Sequence, residues 1–382
     1  MKVNKKIKIL VFESGGWGGI AHYAYNFSDA LSKTGQAEVV LLTDREYELE
    51  HLQREFSLRK ESIRGKPYLL AVLSVIRSIA VIKPDVIHVQ SLITARKDWL
   101  FFIIARIFNL KIVYTAHNIL PHEDSEKQAK GMRFAFSIIY KYSRKIVVHS
   151  QYSKDRLISL FGVPEKKISI IYHGDYLFMR QKEMTQKEAR KILGIAEDKK
   201  VILQFGAIRE YKGLDTLIYA FKIFSQANDK AVLLVVGKPI RINISNYKKF
   251  IKELHLEEKI ILKDYYIPLE EVGVYFFAAD IVVLPYTEID MSGSLQLAYA
   301  FGKPVLASRS GSFSEMVEDG RNGYLFSSGD TEVLAELLRK VISDEALLKA
   351  MGVRSREIAE EKFGWGKIAE KTLQLYKLVM GV

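Results

Sequence analysis

Short runs of β-branched and aliphatic residues alternate with longer amphipathic segments along almost the whole chain. The runs at residues 6–12, 86–89 and 281–284 have the length of strands that are buried on both faces. Segments of helical length, such as residues 68–82, separate them. Strands that alternate with helices in this way predict a parallel sheet with helices on both faces, which is an α/β fold.

The alternation occurs in two successive series, which predicts two domains. A chain of 382 residues is too long for one ordinary hydrophobic core. Residues 176–198 are charged and have no strand pattern, so we expect the linker between the domains there. The sequence therefore predicts two Rossmann-like, doubly wound parallel-sheet domains, at residues 1–178 and 179–362.

Composition narrows the class of protein further. The chain has no cysteine, which excludes disulfides and thiolate metal sites. No apolar run reaches the roughly 18 residues of a membrane span. The apolar run after the first lysines is too short for a signal peptide, so we expect a cytoplasmic protein.

The net charge is +12, and nearly all of the basic excess lies in residues 1–180. Such a half can contact nucleic acid, an anionic membrane or a phosphorylated acceptor, although solubility alone would also explain it.

A glycine-rich turn follows the first predicted strand and precedes a helix. Residues 16–21 match the Gly-x-Gly-x-x-Gly/Ala fingerprint, with Gly16 and Gly18 as its glycines, and Asp44 ends the second strand. Because dinucleotide-binding turns have this pattern, an NAD-dependent oxidoreductase is one alternative. Any glycine-rich first turn that admits a phosphate or a sugar to a helix N-terminus looks similar.

The segment from Asp280 to Ala307 predicts a strand, a polar loop, a helix and a second strand. The strand at residues 281–284 ends at Pro285, and Ser292 or Ser294 caps a helix that continues to residue 301. A C-terminal glycine and a following proline end this helix. The helix N-terminus predicts an anion site, because it presents free backbone N–H groups and the positive pole of the helix dipole. An ordinary βαβ unit without a ligand is the alternative.

Charged and titratable residues follow several other predicted strands. Arg209 and Lys212 follow the strand at residues 201–205, and two cations beside a strand end suit a diphosphate, although solvated surface cations give the same pattern. His88, His117 and His173 lie at or after strand ends, where single histidines are more often structural than catalytic, and no local spacing supports a metal site. The candidate carboxylates of the second half are Glu288, Asp290 and Glu315.

Taken together, these segments resemble the family 4 glycosyltransferases. In that family two Rossmann-like domains face each other across a cleft, an architecture called GT-B. The resemblance covers nearly the whole chain, and its motifs are specific in combination. The segments that carry it are Gly-Gly-Trp-Gly-Gly at 15–19, Thr-Ala-His-Asn at 115–118, Gly-Ala-Ile-Arg-Glu-Tyr-Lys-Gly at 206–213, Phe-Gly-Lys-Pro-Val-Leu-Ala-Ser at 301–308, Ser-Glu-Met-Val-Glu-Asp-Gly-Arg-Asn-Gly at 314–323 and Phe-Gly-Trp through Tyr at 363–376.

The resemblance implies transfer of a hexose from a UDP- or GDP-linked sugar with retention of configuration. It implies no obligatory metal and no other cofactor, because Arg209 and Lys212 would clamp the donor diphosphate. His117 would orient the sugar ring, and Asp290 or Glu315 would bind its hydroxyls. A closing helix at about 363–382 would complete the first domain. The implied donor-binding residues are Gly18, Gly19, Gly206, Met291, Ser292, Gly293 and Ser294.

One feature departs from the family pattern. The family usually has two glutamates eight positions apart around the central helix, and the aligned residues here are Ile289 and Leu297. A branch of the family with a Ser-Gly pair in this loop, as at Ser292 and Gly293, also lacks the two glutamates. The role of the first carboxylate can pass to Asp290 or Glu288, whereas the second, which normally holds the ribose, has no evident replacement.

The acceptor is expected on the basic N-terminal domain. Basic residues flank the apolar Phe134, Phe136, Ile138 and Ile139, which suggests a peripheral contact with the inner face of an anionic membrane and a lipid-linked saccharide acceptor, as in surface polysaccharide assembly. A core helix with a solvated basic face is the alternative. A nucleotide-sugar epimerase of the same architecture also remains open, and we expect no nucleic-acid partner. The basic residues assigned to this contact are Lys127, Lys130, Arg133 and Lys141.

Overall fold

The computed structural model of the protein describes residues 6–120, 126–180 and 182–381. The chain divides into two compact units. Unit 1 consists of Met1–Gly174 together with Phe363–Val382, and unit 2 consists of Asp175–Lys362. The first break between the units thus precedes the predicted boundary at residues 178 and 179 by a short distance.

Unit 1 contains a seven-stranded parallel sheet in the order β3-β2-β1-β4-β5-β6-β7. The order in which the strands are added along the sheet reverses between β1 and β4. The loops after these two parallel strands therefore lie at one edge, where open α/β sheets bind ligands. The strands are β1 (Ile7–Phe12), β2 (Ala37–Asp44), β3 (Ser57–Glu61), β4 (Val86–Val89), β5 (Ile112–Thr115), β6 (Lys145–Val148) and β7 (Ile168–Ile170). The helices are α1 (Gly18–Lys33), α2 (Tyr68–Ile82), α3 (Trp99–Ile107), α4 (Glu126–Tyr142), α5 (Gln151–Phe161) and, from the end of the chain, α14 (Trp365–Met380).

Unit 2 contains a six-stranded parallel sheet in the order β10-β9-β8-β11-β12-β13. Its strands are β8 (Lys200–Phe205), β9 (Ala231–Val236), β10 (Ile260–Lys263), β11 (Ile281–Leu284), β12 (Val305–Ser308) and β13 (Gly323–Phe326). Its helices are α6 (Gln186–Leu193), α7 (Leu214–Ser225), α8 (Ile244–Glu253), α9 (Leu269–Ala278), α10 (Gly293–Ala300), α11 (Phe313–Met316), α12 (Thr331–Ile342) and α13 (Glu345–Phe363). The predicted α/β class is confirmed, because each unit is a parallel sheet with its own apolar core.

The expected linker at residues 176–198 is wrong in part, because α6 lies within it. Thr185 and Glu188 form a capping box that starts the helix. The Arg190 guanidinium, which is buried, bonds the Asp280 carboxylate at 2.7 Å and the Ala278 carbonyl at 3.2 Å. The charged sequence that suggested a linker is therefore an amphipathic helix bound to unit 2.

The C-terminal helix α14 packs against α1 and completes unit 1. The indole of Trp365 lies against Gly174, where an added Cβ would come within 2.2 Å of its ring atoms. Further along the helix, the hydroxyl of Tyr376 lies 2.5 Å from Nδ1 of the buried His88. The end of the chain is thus fixed to the first sheet by one aromatic ring at its start and one hydrogen bond near its end.

Candidate active site

The N-terminus of α10 is built as the sequence predicts. Ser292 is the N-cap, and its hydroxyl accepts a hydrogen bond from the Leu295 N–H at 3.2 Å. Gly302 follows the last turn with a φ of +61°, which favours glycine. The loop between β11 and α10 therefore ends at a capped helix terminus, and the half-buried Met291 and Gly293 lie on either side of the cap.

Lys212, Gly206 and Ser294 come together at this helix terminus. A Cβ added to Gly206 would lie 3.0 Å from both Lys212 Nζ and Ser294 Oγ, so the absence of a side chain lets these groups approach the backbone. The Ser294 hydroxyl donates to the carbonyl of Phe205, the last residue of β8, at 2.8 Å. Gly206, Lys212 and Ser294, together with the cap Ser292, are thus gathered where β8 ends and α10 begins.

Lys212 and Arg209 are cations without a carboxylate partner. Within residues 182–362, which the structure describes in full, no acidic side chain lies within ion-pair distance of either residue. Burial lowers the pKa of the Lys212 ammonium, which lies 5.1 Å from the centre of the Tyr286 ring. An unneutralised lysine beside a helix N-terminus, with the Arg209 charge close to it, forms a site for an anion.

The candidate carboxylates of unit 2 differ in their environments. Asp290 is 4% exposed and comes directly before Met291, whereas Glu315 is exposed on the short helix α11 and Glu288 is half-buried. Ile289 and Leu297, which replace the paired glutamates of the family, are buried apolar residues. No carboxylate therefore occupies either position of the glutamate pair of the family. The structure also does not bring Glu315 into contact with Lys212.

The glycine turn of unit 1 is occupied by the protein's own carboxylates. The buried Glu13 carboxylate accepts hydrogen bonds from the N–H groups of Gly15 and Gly16 at 2.6 and 2.8 Å, and Glu48 accepts one from Gly18 at 3.0 Å. Burial raises the pKa of Glu13. Because these amides are the ones that a pyrophosphate would need, the turn is poorly suited to NAD.

The Asp44 carboxylate also forms hydrogen bonds within the protein. Its carboxylate accepts from the N–H groups of Glu46, Ile63 and Arg64 at 3.1, 2.9 and 2.7 Å. In a dinucleotide site this carboxylate would bind ribose hydroxyls. The NAD-dependent alternative is therefore not supported by either end of the fingerprint. Gly18 and Gly19 form the first residues of α1, whereas the sequence predicts them in the turn before the helix.

His117 belongs to a chain of hydrogen-bonded side chains in unit 1. His149 Nδ1 lies 2.8 Å from the Ile171 carbonyl and therefore donates to it, which leaves His149 Nε2 to accept from His117 Nδ1 at 3.1 Å. His117 Nε2 is then an acceptor. The Gln90 amide lies 3.1 Å away, and its nitrogen, which has no other partner among the described residues, satisfies this acceptor when the amide is oriented accordingly.

These buried imidazoles are neutral. Burial lowers the pKa of His88 to about 3 and that of His149 to about 4. Burial also lowers the pKa of His117 and His173 well below the usual range. The ring of Tyr23 packs on three members of the group, with ring centres 4.7 to 5.6 Å apart. In the described ranges these histidines do not form a metal-binding group with one another or with carboxylates.

The proposed acceptor residues lie on the exposed side of α4, with one correction. Lys130, Arg133 and Lys141 are exposed, whereas the side chain of Lys127 lies outside the described residues. Phe134 is 57% exposed and packs edge-to-face on Trp99 of α3, with ring centres 5.8 Å apart. Phe136 and Ile139, which were grouped with this apolar surface, lie in the core of unit 1, because they fall on the opposite side of the helix.

Several residues that shape these sites were missed in the sequence. Tyr286 directly follows β11 and its Pro285, Gln90 directly follows β4, and His149 directly follows β6. Each lies within two residues of the end of a parallel strand, in the kind of loop that identified His117 and Arg209. A consistent search of such loops would have found all three, whereas the pairing of Glu48 with the glycine turn has no local signal in the sequence.

Two family models match the chain, one on each unit. The Glycosyltransferase Family 4 model matches residues 17–174, and the model of glycosyl transferases group 1 matches residues 185–358. Each match spans most of one doubly wound sheet. Within the described residues, no helix is long and apolar enough to cross a membrane.

Similar proteins and structures agree with these matches. D-inositol 3-phosphate glycosyltransferase of Corynebacterium diphtheriae is 25% identical over 304 residues, which cover 76% of this chain and 70% of the relative. N-acetyl-alpha-D-glucosaminyl L-malate synthase of Bacillus anthracis is 27% identical over 214 residues, which cover 56% of this chain and 54% of the relative. The crystal structure of Anabaena HepE with UDP and glucose superimposes with a TM-score of 0.78 at 21% identity, covering 97% of this chain and 100% of that one. The chain is a family 4 glycosyltransferase with the GT-B fold.

Proposed function

We propose that this glycosyltransferase uses a UDP- or GDP-linked hexose as its donor and retains the anomeric configuration. The observation that carries the proposal is the unneutralised Lys212 ammonium beside the N-terminus of α10, with Arg209 close enough to lower the pKa of Lys212 by repulsion between like charges. A nucleoside diphosphate has the charge and the shape for such a site. Gly206, with its φ of +105°, lets the diphosphate approach the backbone closely.

The chemistry of the reaction accounts for this arrangement. Breaking the bond between the anomeric carbon and the diphosphate places negative charge on the leaving oxygen, while the sugar gains oxocarbenium character. Cations and N–H groups that are already in position stabilise that charge without reorganisation. Arg209, Lys212 and the amides at Ser292 and Gly293 supply these groups, so no metal is needed for the diphosphate. His117 would orient the sugar, and Asp290 or Glu315 would bind its hydroxyls.

The test is substitution of Lys212 by alanine. Removal of one preorganised donor to a developing oxyanion should lower turnover by about 10²–10³-fold. UDP or GDP affinity, measured by calorimetry, should fall as well, and circular dichroism should show an intact fold. The matched control is Lys249→Ala on α8, whose side chain is 79% exposed and paired with Glu253. Turnover with donor sugar should also survive EDTA.

Wild-type turnover in Lys212→Ala would contradict the diphosphate clamp. Conversion of the donor to a free sugar or an epimer without any acceptor would instead identify a nucleotide-sugar epimerase. Turnover that is lost with EDTA and restored by a divalent cation would contradict the metal-free mechanism.

We also propose a lipid-linked saccharide acceptor presented at an anionic membrane. Unit 1 exposes large apolar side chains on α2, α3 and α4 next to basic ones. Leu69 is 67% exposed and Ile107 is 73% exposed, and Phe134 lies between the exposed Arg133 and Lys141 in sequence. Apolar side chains bordered by cations suit the interface of an anionic bilayer. The names of the two relatives include D-inositol 3-phosphate and L-malate, both of which are anions.

Co-sedimentation with vesicles tests the membrane contact. The protein should sediment with phosphatidylglycerol vesicles at low salt and much less with phosphatidylcholine vesicles. Arg133→Glu with Lys141→Glu should abolish sedimentation and leave UDP binding unchanged, because both residues are exposed on α4. Equal sedimentation of this variant, or none by the wild type, would contradict the contact.

A further inference from the structure

A pocket of about 410 Å³ opens at the carboxyl edge of the sheet in unit 1. It is formed by the loops after β1, β3 and β4, which meet there because the three strands are parallel. We propose that this pocket binds a phosphate group of the acceptor. The assignment of the phosphate to the acceptor rests on the proposed transferase function. The lining residues that matter here are Ser14, Arg64, Lys66, Tyr68, Thr94 and Lys97.

Two of the cations in the pocket are held in place by aromatic rings. The Arg64 guanidinium lies 5.2 Å from the ring centre of Trp17, and its Nη1 donates to the Gly15 carbonyl at 3.3 Å. The Lys97 ammonium lies 5.6 Å from the ring centre of Tyr68. Cation–π contacts of this kind restrict a flexible side chain without neutralising its charge. Both cations are therefore positioned at the pocket and still available to an anion.

The loop that carries Arg64 is ordered independently of any ligand. Its backbone N–H and that of Ile63 both donate to the Asp44 carboxylate, at 2.7 and 2.9 Å. Lys66 then precedes α2, which begins at Tyr68 without a side-chain cap and without an acidic residue in its first turn. The positive end of this helix adds to the field of the cations.

No described carboxylate forms an ion pair with the cations of the pocket. Arg64, Lys66 and Lys97 have no ion pair among the described residues of unit 1. The nearest acidic residue in sequence is Asp98, which is 3% exposed and accepts from the Thr94 N–H at 3.0 Å. Burial raises its pKa to about 7, so its negative charge is partly suppressed at neutral pH. The pocket is a preformed positive site.

The chemistry indicates a phosphate more than a neutral sugar. Three cations and a helix N-terminus around one cavity match a compact group with two negative charges. Such a group occurs both in a soluble sugar or polyol phosphate and in the phosphate of a polyprenyl carrier. The two sources share the same contacts in this pocket, and they differ only in whether the rest of the acceptor is in solution or in a bilayer.

The experiment measures phosphate binding with the donor site already filled. The wild-type protein is saturated with UDP and titrated with inorganic phosphate, D-glucose 6-phosphate and D-glucose by calorimetry. We expect both phosphates to bind and glucose not to bind. In the double variant Arg64→Ala, Lys97→Ala the phosphate affinity should fall at least about tenfold, because charge-assisted contacts are lost. Arg77→Ala, an exposed cation further along α2, is the matched control and should bind as the wild type does.

A second arm identifies the source of the phosphate. Phosphatidylcholine vesicles with and without a polyprenyl phosphate are tested for sedimentation of the same variants. Sedimentation that requires the polyprenyl phosphate and is lost in the double variant supports a lipid-borne acceptor. Binding of the soluble phosphates alone, again lost in the double variant, supports a soluble one.

Failure of this inference can be distinguished from failure of the proposed donor site. The double variant should keep its UDP affinity, and Lys212→Ala should keep the phosphate binding of unit 1. The proposal is overturned if the double variant binds phosphate as tightly as the wild type, if glucose binds as well as its phosphate, or if the wild type binds neither the soluble phosphates nor the polyprenyl phosphate vesicles.

Discussion

At the scale of single residues, Tyr286 shows how an uncharged aromatic ring can stabilise a buried cation. Its ring lies beneath the Lys212 ammonium, and burial raises the pKa of its phenol to about 12, so the ring stays neutral. Its buried hydroxyl makes no hydrogen bond of normal geometry among the described residues, although the hydroxyls of Ser294 and Ser292 are close enough to lower its pKa. The ring face, rather than the hydroxyl, therefore stabilises the cation in a partly desolvated place.

Substitution of Tyr286 separates these two parts of the side chain. Tyr286→Phe keeps the ring and should change UDP affinity by no more than about threefold, since less than about 0.7 kcal/mol is at stake. Tyr286→Leu removes the cation–π contact, which contributes about 0.5–2 kcal/mol, and should weaken UDP binding correspondingly. Calorimetric titration of both variants measures the difference. Equal affinities in the Leu and Phe variants would show that the ring does not support Lys212.

At the scale of elements, local signals predicted α10 well and β3 not at all. A β-branched run, Pro285, a serine cap and Gly302 all act within a few residues, so the strand, loop and helix could be identified from sequence. β3 (Ser57–Glu61) is a charged edge strand that pairs only with β2, and its sequence resembles an exposed loop. Its place in the sheet is determined by pairing with a distant segment.

The candidate site likewise combines features that have a local sequence signal with features that depend on distant segments. The cations of the donor site follow a strand in the chain, and their position could be predicted from that strand. The chain of hydrogen bonds through Gln90, His117 and His149 joins residues from three strand ends, and the sequence identified only His117. The neutralisation of the glycine turn by Glu48 depends on a loop 30 residues away, which is why the dinucleotide fingerprint matched without a dinucleotide site.

The start of α14 depends on close contact between an indole ring and a glycine. A Cβ at Gly174 would lie 2.2 Å from Cε2 and Cζ2 of Trp365, and the rigid ring is also held against Tyr23 at 5.1 Å. Gly174→Ala should therefore displace the helix and lower the free energy of unfolding of unit 1 by about 1–3 kcal/mol. Urea denaturation measures this change.

Gly366, in the first turn of the same helix, provides the control. No atom lies within 4 Å of a Cβ added there, so Gly366→Ala introduces no clash. Because alanine favours a helix, this variant should be as stable as the wild type or more stable by up to about 1 kcal/mol. If Gly174→Ala and Gly366→Ala unfold at the same urea concentration as the wild type, the indole contact does not hold α14.

At the scale of the whole molecule, the two units differ in their buried titratable groups. Unit 1 buries His88, His117, His149 and His173 as neutral imidazoles, whereas the one histidine of unit 2, His255, is exposed. Sensitivity to acid should therefore belong to unit 1. The physical cause is that a buried imidazole must remain neutral in the folded state, while the same group in an unfolded chain is free to take up a proton.

The sign of this effect follows from the direction of the pKa shifts. The four histidines have a pKa near 6.5 when unfolded and a lower one when folded, so the unfolded state binds more protons below about pH 6.5 and stability falls as the pH falls. Asp98 and Glu13 act in the opposite direction, because their raised pKa values let the folded state hold protons. At pH 5.5 the four imidazoles outnumber these two carboxyl groups, so unfolding takes up protons.

Urea denaturation of unit 1 between pH 7.5 and 5.5 measures this uptake as the slope of the free energy of unfolding against pH. Each proton taken up on unfolding corresponds to a loss of about 1.4 kcal/mol of stability per pH unit. His88→Gln should reduce the slope by about one proton, which a purely structural loss of the Tyr376 contact would not do. His255→Gln in unit 2 should leave the slope unchanged. Stability of unit 1 that stays constant or rises as the pH falls from 7 to 5.5 would mean that these imidazoles are not held neutral. In that case the chain of hydrogen bonds through His117 would carry a positive charge, which is incompatible with the tautomers derived for it.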